Sequence, residues 1–188
     1  MDTNTLMLIV IAVAVLVLLG LGAWVLSQRR HYQQLKEKFG PEYDYTLEKL
    51  GDKKRAELEL EEREKRLESL SIRALRSDER DIFLREWREI QSRFVDEPSY
   101  AVREADRLIK EVMQARGFPV TDFEQRAADV SVIYPEVVPN YRNARQIADK
   151  NERDGADTEE LRQALVYYRS LFEQLLESKE TGIKEKTR

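Results

Sequence analysis

An uninterrupted apolar stretch near the N-terminus restricts this chain more than any other feature. From Leu6 to Leu26 the sequence reads LMLIVIAVAVLVLLGLGAWVL, which is 21 residues without a polar side chain. A helix of that length is about 31 Å long and matches the roughly 30 Å hydrocarbon core of a bilayer. In lipid, a helix satisfies all of its own backbone polar groups. We therefore predict a transmembrane anchor at residues 1–27, with the lipid bilayer as a partner.

Basic residues on one side of this stretch predict its orientation. No Lys or Arg precedes it, whereas Arg29, Arg30, Lys36 and Lys38 follow it. Because basic residues are retained on the cytoplasmic side of a membrane, we expect the N-terminus outside and the rest of the chain in the cytoplasm. We also expect these four residues and Trp24 at the membrane interface, where amphipathic and cationic side chains are favoured.

A cleaved signal peptide is the alternative interpretation of the same stretch. Signal peptides carry basic residues ahead of an apolar region of roughly 7–15 residues and end in small residues. Here no basic residue comes first, the apolar stretch is longer, and it ends in Trp24-Val25-Leu26. These features favour an uncleaved anchor, with a secreted or periplasm-facing binding domain as the alternative.

Residues 28–75 are predicted to form a charged helical stalk. They contain 12 basic and 11 acidic residues, and several Glu residues lie four positions before an Arg or Lys, a spacing that stabilises an exposed helix. Ala56, Leu60 and Leu67 follow a heptad-like spacing in which Arg63 occupies one position. The pattern favours a solvated spacer helix and leaves open a homo-oligomer formed through the stalk.

Residues 76–178 are predicted to form a small antiparallel helical bundle, and residues 179–188 a polar tail. The bundle segment holds 16 basic and 22 acidic residues, so the acidity of the chain resides here. Apolar residues recur at helical spacing, and no sustained alternation indicates a strand, so the predicted fold class is all-α. Most aromatic residues are assigned to the core, and Tyr141 and Tyr167 to a candidate partner surface.

Helix-capping residues and prolines predict where individual helices begin. We expect Asp52 and Ser77 to cap two helices, and Asp157 or its neighbour to cap the last one. Two prolines only four residues apart, Pro135 and Pro139, are incompatible with one regular helix. The chain is therefore expected either to make one turn at Pro135 and restart near Pro139, or to kink there.

Composition excludes several classes of site. Without Cys there is no disulfide or thiolate metal site, and with the single His31 there is no multi-histidine site. The formal net charge of −4 argues against general nucleic-acid binding. Because the common phosphate-binding and hydrolase motifs do not occur, we predict no cofactor, no metal and no enzymatic activity. The alternative, a membrane-tethered enzyme that uses carboxylates, predicts a concave pocket holding a carboxyl group with a raised pKa.

Three stretches carry a resemblance to known sequences. They are KFGPEYD at residues 38–44, DFEQRAAD at residues 122–129 and ADTEELRQA at residues 156–164. Together they resemble an uncharacterised family of bacterial proteins with an N-terminal hydrophobic segment, over most of residues 38–177. The resemblance implies a bacterial source and a membrane-associated chain, and no catalytic residue. The resulting hypothesis is a single-pass inner-membrane protein whose stalk presents a helical domain to an unidentified protein partner.

Overall fold

The computed structural model describes residues 16, 19–21, 32–119 and 122–177 of the 188-residue chain. All regular structure in these ranges is helical, and no β-strand occurs in them. The predicted all-α fold class is thereby confirmed. The chain divides into two compact units, Met1–Lys38 and Phe39–Arg188.

The first unit contains the predicted anchor. Among the helices described, none is both long enough and apolar enough to cross a membrane. Trp24, Arg29, Arg30 and most of the apolar stretch lie outside the described residues, so the transmembrane helix stays a prediction. Lys36 and Lys38 belong to a described helical stretch and are exposed.

The described residues of the second unit form seven α-helices and one 3₁₀ turn. They are α1 Pro41–Leu50, α2 Lys53–Ser69, α3 Ser77–Arg93, α4 Pro98–Ala115, α5 Phe123–Ser131, the 3₁₀ turn Pro135–Val137, α6 Val138–Arg153 and α7 Thr158–Leu176. Pro135 thus begins a single turn and Pro139 lies in the first turn of α6, which confirms the first of the two alternatives. The tail predicted at residues 179–188 lies outside the described residues.

Aspartate caps begin two of these helices where the sequence predicts them. The Asp52 carboxylate accepts a hydrogen bond from the backbone N–H of Arg55 at 2.8 Å. The Asp157 carboxylate accepts one from the backbone N–H of Glu160, also at 2.8 Å. Each bond satisfies one of the N–H groups that a helix leaves unpaired at its N-terminus.

Helix α3 begins differently from the prediction, because Ser77 is its first residue and not its cap. The Glu79 carboxylate accepts hydrogen bonds from the backbone N–H of Arg76 at 2.9 Å and from the Arg73 guanidinium at 2.7 and 2.8 Å. The hydrogen bond from Arg73, followed by that from Arg76, lowers the pKa of Glu79 to about 2. An acidic side chain in the first turn therefore takes the place of the predicted serine cap.

Helix α4 supplies the largest buried face of the bundle and packs against α3, α6 and α7. The buried apolar residues of α4 are Ala101, Val102, Ala105, Leu108, Ile109, Val112 and Met113. Helix α3 meets α7 through the stacked rings of Trp87 and Phe172, whose centroids lie 4.6 Å apart. The helical spacing of the apolar residues is thus satisfied by one continuous core, and its burial drives folding.

The structure corrects the predicted stalk from residue 39 onward. Helices α1 and α2 form a hairpin that packs against α5 and α6, and they do not extend as a solvated spacer. Ala56, Leu60 and Leu67 are buried, and Arg63 is buried beside them, where it pairs with Glu42. The seam on which a homo-oligomer through the stalk depended is therefore occupied within the chain.

The connection between α2 and α3 is fixed to the C-terminal ends of α4 and α7. The N–H of Arg73 donates to the Arg116 carbonyl at 2.9 Å, and the Arg116 guanidinium donates to the carbonyls of Arg73 and Leu175 at 3.1 Å. Gly117 has φ +92°, and a Cβ on it would lie 2.5 Å from the Ser71 carbonyl oxygen. The boundary predicted after residue 75 is consequently not a boundary between folding units.

Candidate functional site

A groove lies between α3 and α7, above the stacked Trp87 and Phe172 rings. It encloses about 330 Å³, near the lower end of the range for ligand cavities. The residues that line this α3–α7 groove are Leu84, Trp87, Arg88, Gln91, Arg169, Phe172 and Glu173. Trp87 is 5% exposed and Phe172 1% exposed, so the two rings form a mostly covered aromatic floor.

Helical spacing explains why polar residues surround this floor. On α3, Leu84, Arg88 and Gln91 follow one another at intervals of four and three, which places them on one side of the helix. On α7, Arg169 and Glu173 are four residues apart and flank the groove from the opposite side. Both helices direct their apolar stripe into the core and leave the adjacent side to form the rim.

The rim of the groove carries more positive than negative charge. Arg169 is paired, because its Nε donates to a Glu173 carboxylate oxygen at 2.7 Å. Arg88 forms no ion pair with any described residue, and the same holds for Arg80. Arg80 precedes Leu84 by four residues and therefore lies on the groove side of α3.

A smaller cavity of about 120 Å³ lies between α3 and α4. Its lining residues are Glu86, Glu89, Ile90, Arg93, Tyr100, Glu104 and Arg107. Arg107 pairs with Glu104 at 2.9 Å, and the Arg93 guanidinium lies 5.5 Å from the centroid of the Tyr100 ring. Arg107 also lies 4.0 Å from Glu86, whereas Glu89 forms no ion pair with any described residue. Among the described residues no cluster of His, Cys, Asp and Glu could hold a metal ion.

A buried ion cluster joins α1, α2 and α6. The Glu42 carboxylate accepts hydrogen bonds from Arg63 at 3.4 Å and from Arg142 at 3.2 and 3.3 Å. The Arg142 guanidinium also donates to Glu124 at 3.2 Å and lies 4.1 Å from the centroid of the Tyr45 ring. Burial by itself lowers the pKa of Arg142, but Glu42, with Tyr45 and Glu124, raises it above its ordinary value. The cluster therefore holds α1 against the bundle.

Asp129 is the buried acid that bears on the carboxylate-enzyme alternative. Burial raises its pKa above the ordinary aspartate value, against the opposing effects of a Gln125 hydrogen bond at 2.8 Å and of nearby Arg66. An Asp129 carboxylate oxygen lies 3.3 Å from the Nε of Arg66. Asp129 lines neither of the two cavities described above.

The structure corrects one of the two tyrosines assigned to the candidate partner surface, Tyr141, while Tyr167 stays a prediction. Tyr141 is completely buried, its hydroxyl accepts a hydrogen bond from Arg126 at 3.4 Å, and burial raises its pKa. Tyr168 is also buried and donates to Asp106 at 3.2 Å, while Tyr167 is half-buried against the core. Tyr141 thus packs inside the bundle, because its helical position faces the core, and it offers no surface to a partner.

No protein-family model, curated protein or solved structure matches this chain.

The rim of the α3–α7 groove contains residues that the sequence prediction missed. A signal was present, because neither Arg80 nor Arg88 has an acidic residue three or four positions away along α3. In a chain so rich in i,i+4 pairs, an arginine without such a neighbour is conspicuous. Both lie four residues from Leu84. The sequence could therefore have indicated two arginines without a local acid, one turn before and one turn after Leu84.

Proposed function

We propose that residues 39–177 form a protein-binding domain that receives its partner in the α3–α7 groove. The observation that carries the proposal is the combination of an aromatic floor with a rim on which Arg88 has no ion pair among the described residues, while Arg169 is paired with Glu173. Buried apolar anchors surrounded by polar residues are typical of protein interfaces, where Arg and aromatic residues are enriched.

The proposal also includes a membrane tether. The apolar stretch at residues 6–26 is long enough to span a bilayer, and the basic residues after it favour a cytoplasmic domain. The motif resemblance supports a bacterial inner membrane as the location. In this proposal the tether restricts the domain to the membrane surface, which raises its effective concentration toward membrane-bound partners.

Site-specific photocrosslinking in a bacterial host tests the protein-binding proposal. A photoreactive amino acid replaces Gln91, an exposed residue that lines the groove, in the full chain. The matched control carries it at Glu62, an exposed position on α2. We expect a crosslinked protein, identified by mass spectrometry, from position 91 and not from position 62. Identical products from both positions, or products containing only a second copy of this chain, contradict the proposal.

A reporter fused after Arg188 tests the proposed orientation. We expect activity from a reporter that works only in the cytoplasm. Activity only from a reporter that requires an external location contradicts it. Mass measurement of the mature N-terminus then distinguishes an anchor from a cleaved signal peptide.

A further inference from the structure

We infer that the segment which occupies the α3–α7 groove is an acidic amphipathic helix of a partner protein. This inference rests on the proposed protein-binding function and specifies the chemistry of the partner.

The shape of the site favours a helix. Two helices form the sides of the groove, and the ring pair of Trp87 and Phe172 forms its floor. A groove between two helices is the standard receptor for an amphipathic helix, which inserts apolar side chains at spacings of three and four residues. Leu84 is partly exposed in the groove, and Val166, which is 45% exposed, lies three residues before Arg169 on the same side of α7. These side chains provide apolar contacts for such anchors.

Charge decides the composition of the rest of the segment. Arg80 and Arg88 lie on the groove side of α3, one turn before and one turn after Leu84, and neither has an ion pair among the described residues. Asp81, three residues before Leu84, lies on the same side of α3 and offsets one of these charges. With Arg169 and Glu173 of α7, the groove side keeps a net charge of +1, on a segment (residues 76–178) whose net charge is −6. Acidic residues that flank an apolar anchor complement the positive charge of the rim, whereas basic residues are repelled by it. The apolar floor does not distinguish between the two.

A second copy of this chain is a poorer occupant of the groove. If two identical grooves faced each other across a two-fold axis, the arginines of one rim would approach the arginines of the other. This repulsion between like charges would oppose a dimer of this chain. An acidic partner helix brings carboxylates to the arginines and meets no such repulsion.

Selection from a displayed peptide library tests the inference with a defined probe. The bait is the full chain in nanodiscs of neutral phosphatidylcholine, and the library contains random peptides of 17 residues, the length of α3. A Gln91→Trp variant, which fills the groove from an exposed position, removes peptides that bind elsewhere. Affinities of enriched peptides are measured for the wild type, for Arg80→Glu/Arg88→Glu, and for Lys54→Glu/Lys65→Glu. The last variant changes the net charge equally at exposed positions on α2.

We expect enriched peptides with net negative charge and large apolar residues three or four positions apart. Their affinity falls about tenfold or more in the arginine variant and stays within about twofold in the lysine variant. Circular dichroism melting curves confirm that each variant is folded. Neutral or basic peptides that bind the wild type and the arginine variant equally, yet lose binding in Gln91→Trp, overturn the inference and leave the proposed function standing. If no peptide distinguishes the wild type from Gln91→Trp, both fail.

Discussion

Replacing Glu42 by Gln tests whether the buried ion cluster holds α1 on the bundle. The Glu42 side chain is 1% exposed, and it is the acid that Arg63 and Arg142 share, at N···O distances of 3.2 to 3.4 Å. The side chains of the two arginines are 6% and 9% exposed. The substitution removes the negative charge and leaves two buried positive charges in contact with a neutral amide.

The expected loss of stability follows from what each arginine retains. Removing one partner of a buried ion pair typically lowers the free energy of unfolding by about 3–5 kcal/mol. Here Arg63 keeps Glu59 at 3.0 Å and Arg142 keeps Glu124 at 3.2 Å. The Gln oxygen also still accepts a hydrogen bond. We therefore expect a decrease near the lower end, about 3 kcal/mol.

Urea unfolding of the full chain in a mild detergent, followed by far-ultraviolet circular dichroism, measures this change. We expect a lower midpoint with an unchanged slope. Glu59→Gln is the matched control, because the Glu59 side chain binds the same Arg63 but is 37% exposed, and it should lower stability by about 1 kcal/mol or less. Arg63→Met should lower stability less than Glu42→Gln, since Glu42 keeps Arg142. A Glu42→Gln variant within about 0.5 kcal/mol of the wild type would refute the reasoning.

Three further substitutions test other parts of the fold. Gly117→Ala should destabilise the chain by well over about 1 kcal/mol in the same unfolding assay, because a Cβ there meets a backbone oxygen. Gly155→Ala, also at positive φ but in open space, should have a smaller effect. Equal effects of the two substitutions would contradict this account. Tyr168→Phe leaves buried Asp106 without one hydrogen-bond donor and should lower stability by about 1–2 kcal/mol; an unchanged midpoint would contradict it. The folded-state pKa of Glu79, about 2, lies below its ordinary value of 4.5, so its contribution to stability is present above pH 4.5 and is lost as the pH falls toward 2. The melting temperature of Glu79→Gln should therefore decline less over this pH range than that of the wild type. Parallel curves for the two proteins would count against this reasoning.

Local signals in the sequence predicted the helices well. Asp52 and Asp157 cap helices as expected from residues close in sequence, and Pro135 begins a separate turn, which is one of the two alternatives that the sequence left open. Such features depend on interactions over three or four residues, which a sequence displays directly. Ser77 is the exception, because a neighbouring glutamate takes over its expected role.

The candidate site was harder to predict, because exposure depends on how helices pack. Tyr141 and Tyr167 both lie on amphipathic helices, and the sequence does not show which neighbours cover each of them. The structure buries Tyr141 completely and leaves Tyr167 half-buried. The groove likewise requires α3 and α7, which are distant in sequence, to meet at Trp87 and Phe172. Only Arg80 and Arg88 were recognisable in the sequence, because neither has an acidic residue three or four positions away.

The stalk prediction is wrong because an arginine within an apolar seam does not require solvent when a distant segment supplies its acid. Arg63 is buried, and it receives its acid from α1, 21 residues earlier. The same acid binds Arg142, 100 residues away. A side chain that looks solvated when only its own helix is considered is thus paired with a charge from a distant segment of the chain.

This arrangement predicts where a fragment of the chain can begin. A fragment of residues 76–177 lacks Glu42 and leaves Arg142 without that partner, and it also lacks Leu67, which belongs to the same apolar core as the bundle. A fragment of residues 39–177 keeps both. We expect the longer fragment to unfold cooperatively on heating, and the shorter one to have a lower melting temperature and to bind a hydrophobic dye. If both fragments unfold at the same temperature, α1 and α2 are a dispensable attachment, and the domain begins at residue 76 after all.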